Sequence, residues 1–230
     1  MKRRFALASV AFGAALAMGG YTSAVAAEYD PGASDTEIKI GNTMPYSGPA
    51  SAYGVIGKTM AAYFEMVNAE GGINGRKVNF ISLDDGYSPP KTVEQTRKLV
   101  EQEEVLILAG GLGTPTSSAV HTYANKKRIP QIFLNTGATK WGDPKNFPWT
   151  MGWQPNYQAE GKIYAAHILE NFPDAKIGIL YQNDDYGKDY VHGMEIGLGD
   201  KKNMIVAAES YESSDPSVDA QMAKLKASGA

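Results

Sequence analysis

The fold is decided by the stretch LILAGGLGTPT, which runs from Leu106 to Thr116. The apolar run from Val105 to Ala109 has the length and bulk of a strand that is buried on both faces. Glycines end this run, and Thr114-Pro115 then predicts a helix start with Thr114 as the N-cap and Pro115 at the first helical position. Because a helix N-terminus carries free backbone N–H groups, we expect this turn to bind a carboxylate or a phosphate through Thr114, Thr116 and the backbone.

Strand-like and helix-like stretches alternate on both sides of this turn. Four strands, each paired with a helix, are expected over residues 38–41, 78–83, 105–109 and 131–134. This alternation is typical of a doubly wound, mostly parallel α/β sheet. An aromatic segment with several prolines and glycines, residues 136–157, predicts a crossing into a second domain. There, strands are expected only over residues 176–181 and 204–208, so the second domain is expected to be incomplete.

The N-terminus indicates an exported protein. A charged start at Lys2-Arg3-Arg4 precedes an apolar stretch from Phe5 to Met18, and small residues end the segment at Ala27. This pattern predicts a cleavable signal peptide over residues 1–27, since the apolar stretch falls short of the roughly 20 residues needed to span a bilayer. The sequence contains no cysteine. A lipoprotein anchor is therefore excluded, and we expect a periplasmic protein.

Charge and motif spacing argue against several function classes. The formal charge is −3, and it falls to −6 without the three positive charges of the predicted signal peptide, which does not favour a nucleic-acid partner. The segment Gly111-x-Gly113-x-x-Thr116 differs from a dinucleotide fingerprint and follows the third strand rather than the first. The histidines, at positions 121, 167 and 192, lack zinc-ligand spacing. No cofactor or metal is predicted.

Two pairs of adjacent carboxylates, Asp84-Asp85 and Asp184-Asp185, follow predicted strands. Such pairs could serve a hydrolase or a magnesium site, but neighbouring loop residues usually point apart and no third ligand accompanies them. The remaining candidates are aromatic and hydroxyl side chains at strand ends. They are Ser47, Tyr53, Thr114, Thr116, Thr136, Thr139 and Tyr186. A set of this kind favours a small-molecule pocket over a reaction centre.

Four motifs, in order, carry a family resemblance: PYSGPASAYG at residues 45–54, NAEGGING at 68–75, NTGAT at 135–139 and DDYG at 184–187. From about Ile38 to Ala230 the sequence resembles the periplasmic leucine/isoleucine/valine-type solute-binding receptors of ABC importers. The resemblance implies a type I periplasmic binding fold with two α/β lobes that close on a ligand. It places the N-terminal lobe at residues 28–150 and a partial second lobe at residues 151–230. The chain is expected to correspond to about the first three-fifths of such a receptor.

The resemblance also implies the ligand-binding residues. Tyr53, and with it Ser47 of the same motif, would lie at the ligand, while Gly113 and Thr114 would hold its carboxylate. Gly137, Ala138 and Thr139 would receive an α-amino group, and Tyr186 would close from the second lobe.

The implied partners are an amino acid or aromatic carboxylate and an ABC permease in the inner membrane, with the complete receptor a monomer. Two alternatives stay open. One is a ligand-sensing module of the same fold, because fold alone does not fix the partner. The other is an exported metal-dependent hydrolase that uses the paired aspartates.

Overall fold

The computed structural model describes residues 29–230, and the predicted signal peptide lies outside the described residues. Within the described part, none of the helices combines the length and the apolar character that crossing a membrane requires.

The first half of the described chain forms a five-stranded parallel sheet. Its strands are β1 (Glu37–Met44), β2 (Lys77–Asp84), β3 (Ile107–Ala109), β4 (Gln131–Leu134) and β5 (Thr150–Gly152). Their order across the sheet is β2-β1-β3-β4-β5. The expected parallel α/β sheet is therefore confirmed, with β4 at its predicted bounds. The sequence did not predict β5.

Helices cover both faces of this sheet. They are α1 (Gly54–Ala69), α2 (Pro89–Glu101) and α3 (Thr114–Lys127). On one face, Leu99 of α2 and Ala124 of α3 pack with Leu108 of β3 and the fully buried Val105. On the other face, Phe64 of α1 packs against Ile40 and Val78. The hydrophobic core is thus split by the sheet into two layers, as in a doubly wound fold.

The second half of the chain forms a smaller unit around two parallel strands. Its elements are α4 (Tyr157–Asn171), β6 (Ile177–Gln182), α5 (Asp185–Leu198), β7 (Ile205–Tyr211) and α6 (Asp219–Ala227). Ala165 of α4 packs with Met194 and Leu198 of α5, and Ile177 and Ile179 of β6 close this core from the sheet side. The predicted lobe boundary between residues 150 and 151 falls inside β5.

Two predictions at the central turn are wrong in detail. Thr114 is not the N-cap of α3, because Gly113 occupies that position and Thr114 is the first helical residue. Gly113 has φ of +93°, a conformation that a residue without a β-carbon adopts readily, so the helix begins one residue earlier than expected. Strand β3 begins at Ile107 rather than at Val105, because the backbone N–H of Val105 donates to the carbonyl of Leu99 in α2 instead of to a neighbouring strand.

The strand order fixes where a ligand site is expected. The chain moves from β1 outward to β2, and then returns to place β3 on the opposite side of β1. In open α/β sheets, ligands bind beyond the carboxyl ends of the strands at such a reversal. The loops that follow β1 and β3 therefore frame the candidate site.

Candidate functional site

A cleft of about 450 Å³ lies between the carboxyl edges of the two sheets. The first half of the chain contributes the loop after β1, the start of α1 and the ends of β2, β3 and β4. Its lining residues are Pro49, Ala50, Tyr53, Ile56, Tyr87, Leu112, Gly113, Thr114 and Asn135. The opposite wall consists of Gln154, Tyr157, Gln182, Tyr186, Tyr211 and Ser213. Five of these side chains are tyrosines, and none of the described lining residues carries a formal charge.

Four of the eight residues predicted as ligand contacts line this cleft. Tyr53 and Tyr186 contribute rings from the two sides, and Gly113 and Thr114 contribute the turn between β3 and α3. The structure thus brings together residues that are up to 133 positions apart in the sequence. The other four predicted residues, Ser47, Gly137, Ala138 and Thr139, lie outside this lining, and their contact with a ligand stays a prediction.

The turn between β3 and α3 packs closely against Tyr87. A β-carbon added at Gly113 would lie 2.4 Å from Cε2 of the Tyr87 ring. The turn therefore needs glycine both for its positive φ and for the space that the ring occupies. Tyr87 in turn is held by Asp85, whose carboxylate accepts a hydrogen bond of 2.9 Å from the Tyr87 backbone N–H.

Thr114 lines the cleft, and its hydroxyl lies 2.6 Å from the hydroxyl of Thr136. Helix α3 has no side-chain cap, since Gly113 carries no polar group. The first backbone N–H groups of a helix have no acceptor within the helix. The cleft thus meets a helix N-terminus together with a hydroxyl group, a combination that suits an anion.

Thr116 and Ser47 direct their hydroxyl groups elsewhere. Thr116 Oγ1 donates to the carbonyl oxygens of Leu112 and Gly113, so its hydroxyl secures the turn rather than facing the cleft. Ser47 Oγ donates to Asp84 Oδ2 over 2.6 Å.

The turn after β4 is engaged by neighbouring elements. The carbonyl of Gly137 accepts a hydrogen bond of 2.8 Å from the Tyr157 backbone N–H, and Ala138 is buried against Trp141. The Thr139 N–H donates to Asp189 of α5 over 2.6 Å. In this structure the turn joins the two halves of the chain.

The second wall of the cleft is built around Asp184. This residue is the N-cap of α5, and its Oδ1 accepts hydrogen bonds from the backbone N–H groups of Tyr186 (3.0 Å) and Gly187 (3.2 Å). Its Oδ2 accepts a bond of 2.7 Å from the side-chain amide of Gln182. The same amide nitrogen lies 3.5 Å from the Tyr87 hydroxyl on the opposite wall. Asp184 therefore fixes both Gln182 and the start of the helix that carries Tyr186.

Two tyrosines of the cleft, Tyr87 and Tyr186, are neutral at physiological pH. Burial raises the pKa of Tyr87 to about 12, although the hydrogen bond from Gln182 acts in the opposite direction. Burial likewise raises the pKa of Tyr186. Tyr157 contacts Tyr186 edge to face, with ring centroids 5.0 Å apart. These rings offer a flat, apolar surface whose hydroxyl groups remain hydrogen-bond donors.

The paired aspartates serve as local anchors in this structure. Asp84 accepts hydrogen bonds from Ser47, the backbone of Tyr46 and Gly86, and Lys91 at 2.8 Å. Burial opposes its charged form, but the hydrogen bonds from Lys91 and Ser47 hold the pKa of this carboxyl below its usual range. Asp185 pairs with Lys140 at 2.9 Å. Across residues 29–230, no cluster of three or more His, Cys, Asp or Glu side chains could hold a metal ion.

Eleven of the fifteen lining residues were not predicted as ligand contacts, and Tyr87, Tyr157, Gln182 and Tyr211 are among them. Tyr87 had a usable signal, because it follows Asp84-Asp85-Gly86 at the carboxyl end of β2. Gln182 and Tyr211 end the paired strands β6 and β7, where they face the cleft. No local pattern distinguishes them from other strand-end residues.

A family model described as periplasmic binding protein matches residues 37–230. The chain belongs to the periplasmic binding protein family. Its fold is the type I arrangement, and the resemblance to the Leu/Ile/Val-type receptors is confirmed. A Leu/Ile/Val-binding protein homolog from Brucella melitensis is 27% identical over 97% of this chain and 57% of its own length. An amino acid binding protein from Pseudomonas aeruginosa is 26% identical over 84% of this chain and 52% of its own.

A solved structure shows the same fold with a ligand. The branched-chain amino acid transporter substrate binding protein LivJ from Streptococcus pneumoniae, in complex with isoleucine, has a TM-score of 0.68 and 26% identity. The alignment covers 83% of this chain and 54% of that protein. The chain spans about half the length of the relatives that it matches.

Proposed function

We propose that this protein is an exported solute receptor of an ABC importer, which binds a small carboxylate-bearing ligand in the cleft and delivers it to a membrane permease. The observation that supports this most directly is the position of the cleft. It lies at the reversal of strand order, beside an uncapped helix N-terminus, and the opposite wall comes from a second α/β unit. Relatives named as amino acid binding proteins support the same class.

The carboxylate is assigned to the start of α3. The backbone N–H groups there and the Thr114 hydroxyl are donors, whereas the second wall begins with the carboxylate of Asp184. An anion is favoured at a helix N-terminus and disfavoured near a carboxylate. The ligand is therefore oriented with its anionic end toward α3.

The rest of the ligand is assigned to the tyrosines. Rings from Tyr53, Tyr87, Tyr157, Tyr186 and Tyr211 enclose a volume large enough for a branched-chain or aromatic side chain. No charged side chain occurs in the lining described, so an ammonium group would rely on amide, carbonyl and hydroxyl oxygens there. The proposed ligand class is accordingly a hydrophobic amino acid or an aromatic acid.

Binding is expected to act through closure. A ligand that touches both walls stabilises the state in which the walls are close, since only contacts that differ between the open and closed states shift the equilibrium. Tyr53 and Thr114 on one side and Tyr186 on the other supply such contacts. The proposed role is binding and transfer of an unchanged ligand rather than catalysis.

Titration calorimetry of the purified protein tests this proposal. Leucine, isoleucine, phenylalanine, phenylacetate and 4-hydroxybenzoate form the panel, and at least one is expected to bind. Tyr53→Ala and Thr114→Val should each weaken binding at least tenfold, because each removes a contact to the ligand. Tyr63→Ala is a matched control, since Tyr63 is 56% exposed and Tyr53 is 57% exposed, but Tyr63 lies outside the cleft. Failure of the whole panel, or full binding by both cleft variants, would contradict the proposal.

A further inference from the structure

Thr136 is fully buried just beyond β4, and its hydroxyl oxygen is surrounded by polar groups. The backbone N–H of Ala138 donates to this oxygen over 3.4 Å, and the indole N–H of Trp141 donates over 3.3 Å. The hydroxyl oxygen of Tyr157 is a more distant neighbour, 3.4 Å from it. The shortest contact is with Thr114 Oγ1 at 2.6 Å, where either oxygen could be the donor on distance alone.

The direction of the short hydrogen bond follows from counting donors. A hydroxyl oxygen has two lone pairs and one hydrogen. Two N–H groups cannot reverse their role, and they already direct their hydrogens to the Thr136 oxygen. No lone pair remains for a hydrogen from Thr114. The hydrogen of Thr136 must therefore point to Thr114 Oγ1, its closest neighbour.

With this direction, the hydroxyl hydrogen of Thr114 is not used in the hydrogen bond to Thr136. Thr114 Oγ1 accepts from Thr136 and has no other polar partner among the hydrogen bonds of the described chain. Thr114 also lines the cleft at the first residue of α3. If the direction were reversed, Thr114 would present only lone pairs to the cleft, and these would repel an anion.

We propose that Thr136 is a positioning residue that makes Thr114 a hydrogen-bond donor toward the ligand and so makes the cleft selective for a carboxylate. The identity of the ligand in this inference rests on the proposed function, whereas the assigned hydrogen positions rest on the hydrogen-bond geometry alone. Thr136 acts through Thr114, since its side chain is fully buried and does not line the cleft.

Neutron diffraction from a crystal of the unliganded, deuterium-exchanged protein tests the inference without a ligand. The deuterium of Thr136 is expected on the line to Thr114 Oγ1, and that of Thr114 is expected to point away from Thr136 and into the cleft. A deuterium on Thr114 that points to Thr136 would overturn the inference, whatever the protein binds. Absence of any carboxylate binding in calorimetry would instead contradict the proposed function.

A binding experiment supplies the second test. The affinity for the best-bound carboxylate of the panel is compared with that for its primary amide, which carries an N–H₂ group in place of one acceptor oxygen. In Thr136→Val, the ratio of the two affinities should fall roughly tenfold, since Thr114 is no longer fixed as a donor. Thr136→Ser keeps the hydroxyl and should retain the ratio of the unaltered protein. A purely structural role would weaken both ligands equally, and an unchanged ratio in Thr136→Val would refute the inference.

A double-mutant cycle identifies the partner through which Thr136 acts. In the Thr114→Val background, adding Thr136→Val should leave the ratio of carboxylate to amide affinity unchanged. If Thr136→Val does not fold, Thr136→Cys takes its place, because the thiol is of similar size and a weaker donor. A ratio that still responds to residue 136 when residue 114 is valine would contradict the assigned route.

Discussion

Two strand-to-helix turns meet at the cleft, and they differ in the residue at the helix N-cap. The turn from β6 to α5 has Asp184 as its N-cap, and this carboxylate accepts hydrogen bonds from two N–H groups at the start of the helix. The turn from β3 to α3 has Gly113 in the same position, with no side chain to do so. The N–H groups at the start of α5 therefore have an acceptor within the protein, and those at the start of α3 are left for another group.

This difference explains why the two walls have different roles. Asp184 provides for α5 what the carboxylate of the proposed ligand would provide for α3. A capping side chain stabilises a helix by about 1 kcal/mol, so a ligand that caps α3 gains a comparable contribution to its affinity. In the proposed complex, the side with the resident carboxylate would serve as an aromatic wall, while the side without it would accept the anion.

The largest effect is expected from Gly113→Ala. The new β-carbon would lie 2.4 Å from the Tyr87 ring at a φ of +93°, so the turn must distort. We expect at least a tenfold loss of ligand affinity in calorimetry and a loss of about 1–3 kcal/mol in the free energy of unfolding. Gly142→Ala is the control, because nothing lies within 4 Å of its added β-carbon and its φ is not positive. Affinity and stability equal to those of the control variant would contradict this account of the turn.

Asp184→Ala tests the turn from β6 to α5, where Asp184 caps the helix. Removal of the carboxylate leaves two helix N–H groups without their acceptor, and we expect a loss of about 1 kcal/mol in urea denaturation. Asp184→Asn should retain most of the stability, because asparagine is also a good N-cap. The exposed Asp174, in the turn before β6, supplies a control substitution to alanine. A variant Asp184→Ala as stable as Asp174→Ala would show that the cap contributes nothing.

Acidification tests the packing of α3, the helix that follows the uncapped turn at Gly113. His121 of α3 is buried, and its ring is stacked on that of Phe147 with the ring centroids 3.9 Å apart. Burial lowers its pKa to about 4, and Lys140 lowers it further while Asp143 opposes the shift. As the pH falls below about 6.5, the unfolded chain therefore takes up a proton that the folded protein does not.

We expect His121 to account for a loss of about 1 kcal/mol in the free energy of unfolding between pH 7 and pH 5.5. Urea denaturation at both pH values measures this loss, and His121→Phe should lose less stability over the same interval. An equal pH dependence for the two proteins would show that His121 takes up its proton in the folded protein as readily as in the unfolded chain.

The smallest effect is expected from Lys140→Met, which removes the ion pair between the segment after β4 and the first residue of α5. Both side chains are partly exposed, at 35% for Lys140 and 53% for Asp185, so water and salt screen the pair. We expect a loss below about 1 kcal/mol in thermal unfolding, which decreases further in 1 M salt. A loss that is large and independent of salt would show instead that this pair holds the two halves together.

Most of the fold could be predicted from the sequence, because local residue patterns determine where its strands and helices begin and end. The four predicted strands of the first sheet and the helix from Asp185 to Leu198 follow from apolar runs that are bounded by glycine, proline or a capping aspartate. Strand β5 was missed because it has three residues and exists only through its pairing with β4. The N-cap was misplaced because threonine is a common cap, while the close contact between Gly113 and Tyr87 is a tertiary feature that the local sequence does not reveal.

Fewer residues of the site than of the fold could be predicted from the sequence. Tyr53, Thr114 and Tyr186 could be proposed from their positions after strands and from the family resemblance. Tyr87 could have been proposed in the same way, from its place after Asp84-Asp85-Gly86. Gln182 could not, because it meets Tyr87 only when the two α/β units pack together. The role of Thr136 depends on which donors surround one buried oxygen, and no sequence pattern encodes that.

A crystal structure with a bound carboxylate, chosen as the tightest ligand of the calorimetric panel, shows directly which of the two helix termini holds the anion. The carboxylate is expected at the start of α3, within hydrogen-bond distance of Thr114 Oγ1 and the first helix N–H groups. The rest of the ligand is expected to contact Tyr53 and Tyr186. A carboxylate placed at the start of α5 beside Asp184, or a ligand bound outside the cleft, would contradict the account.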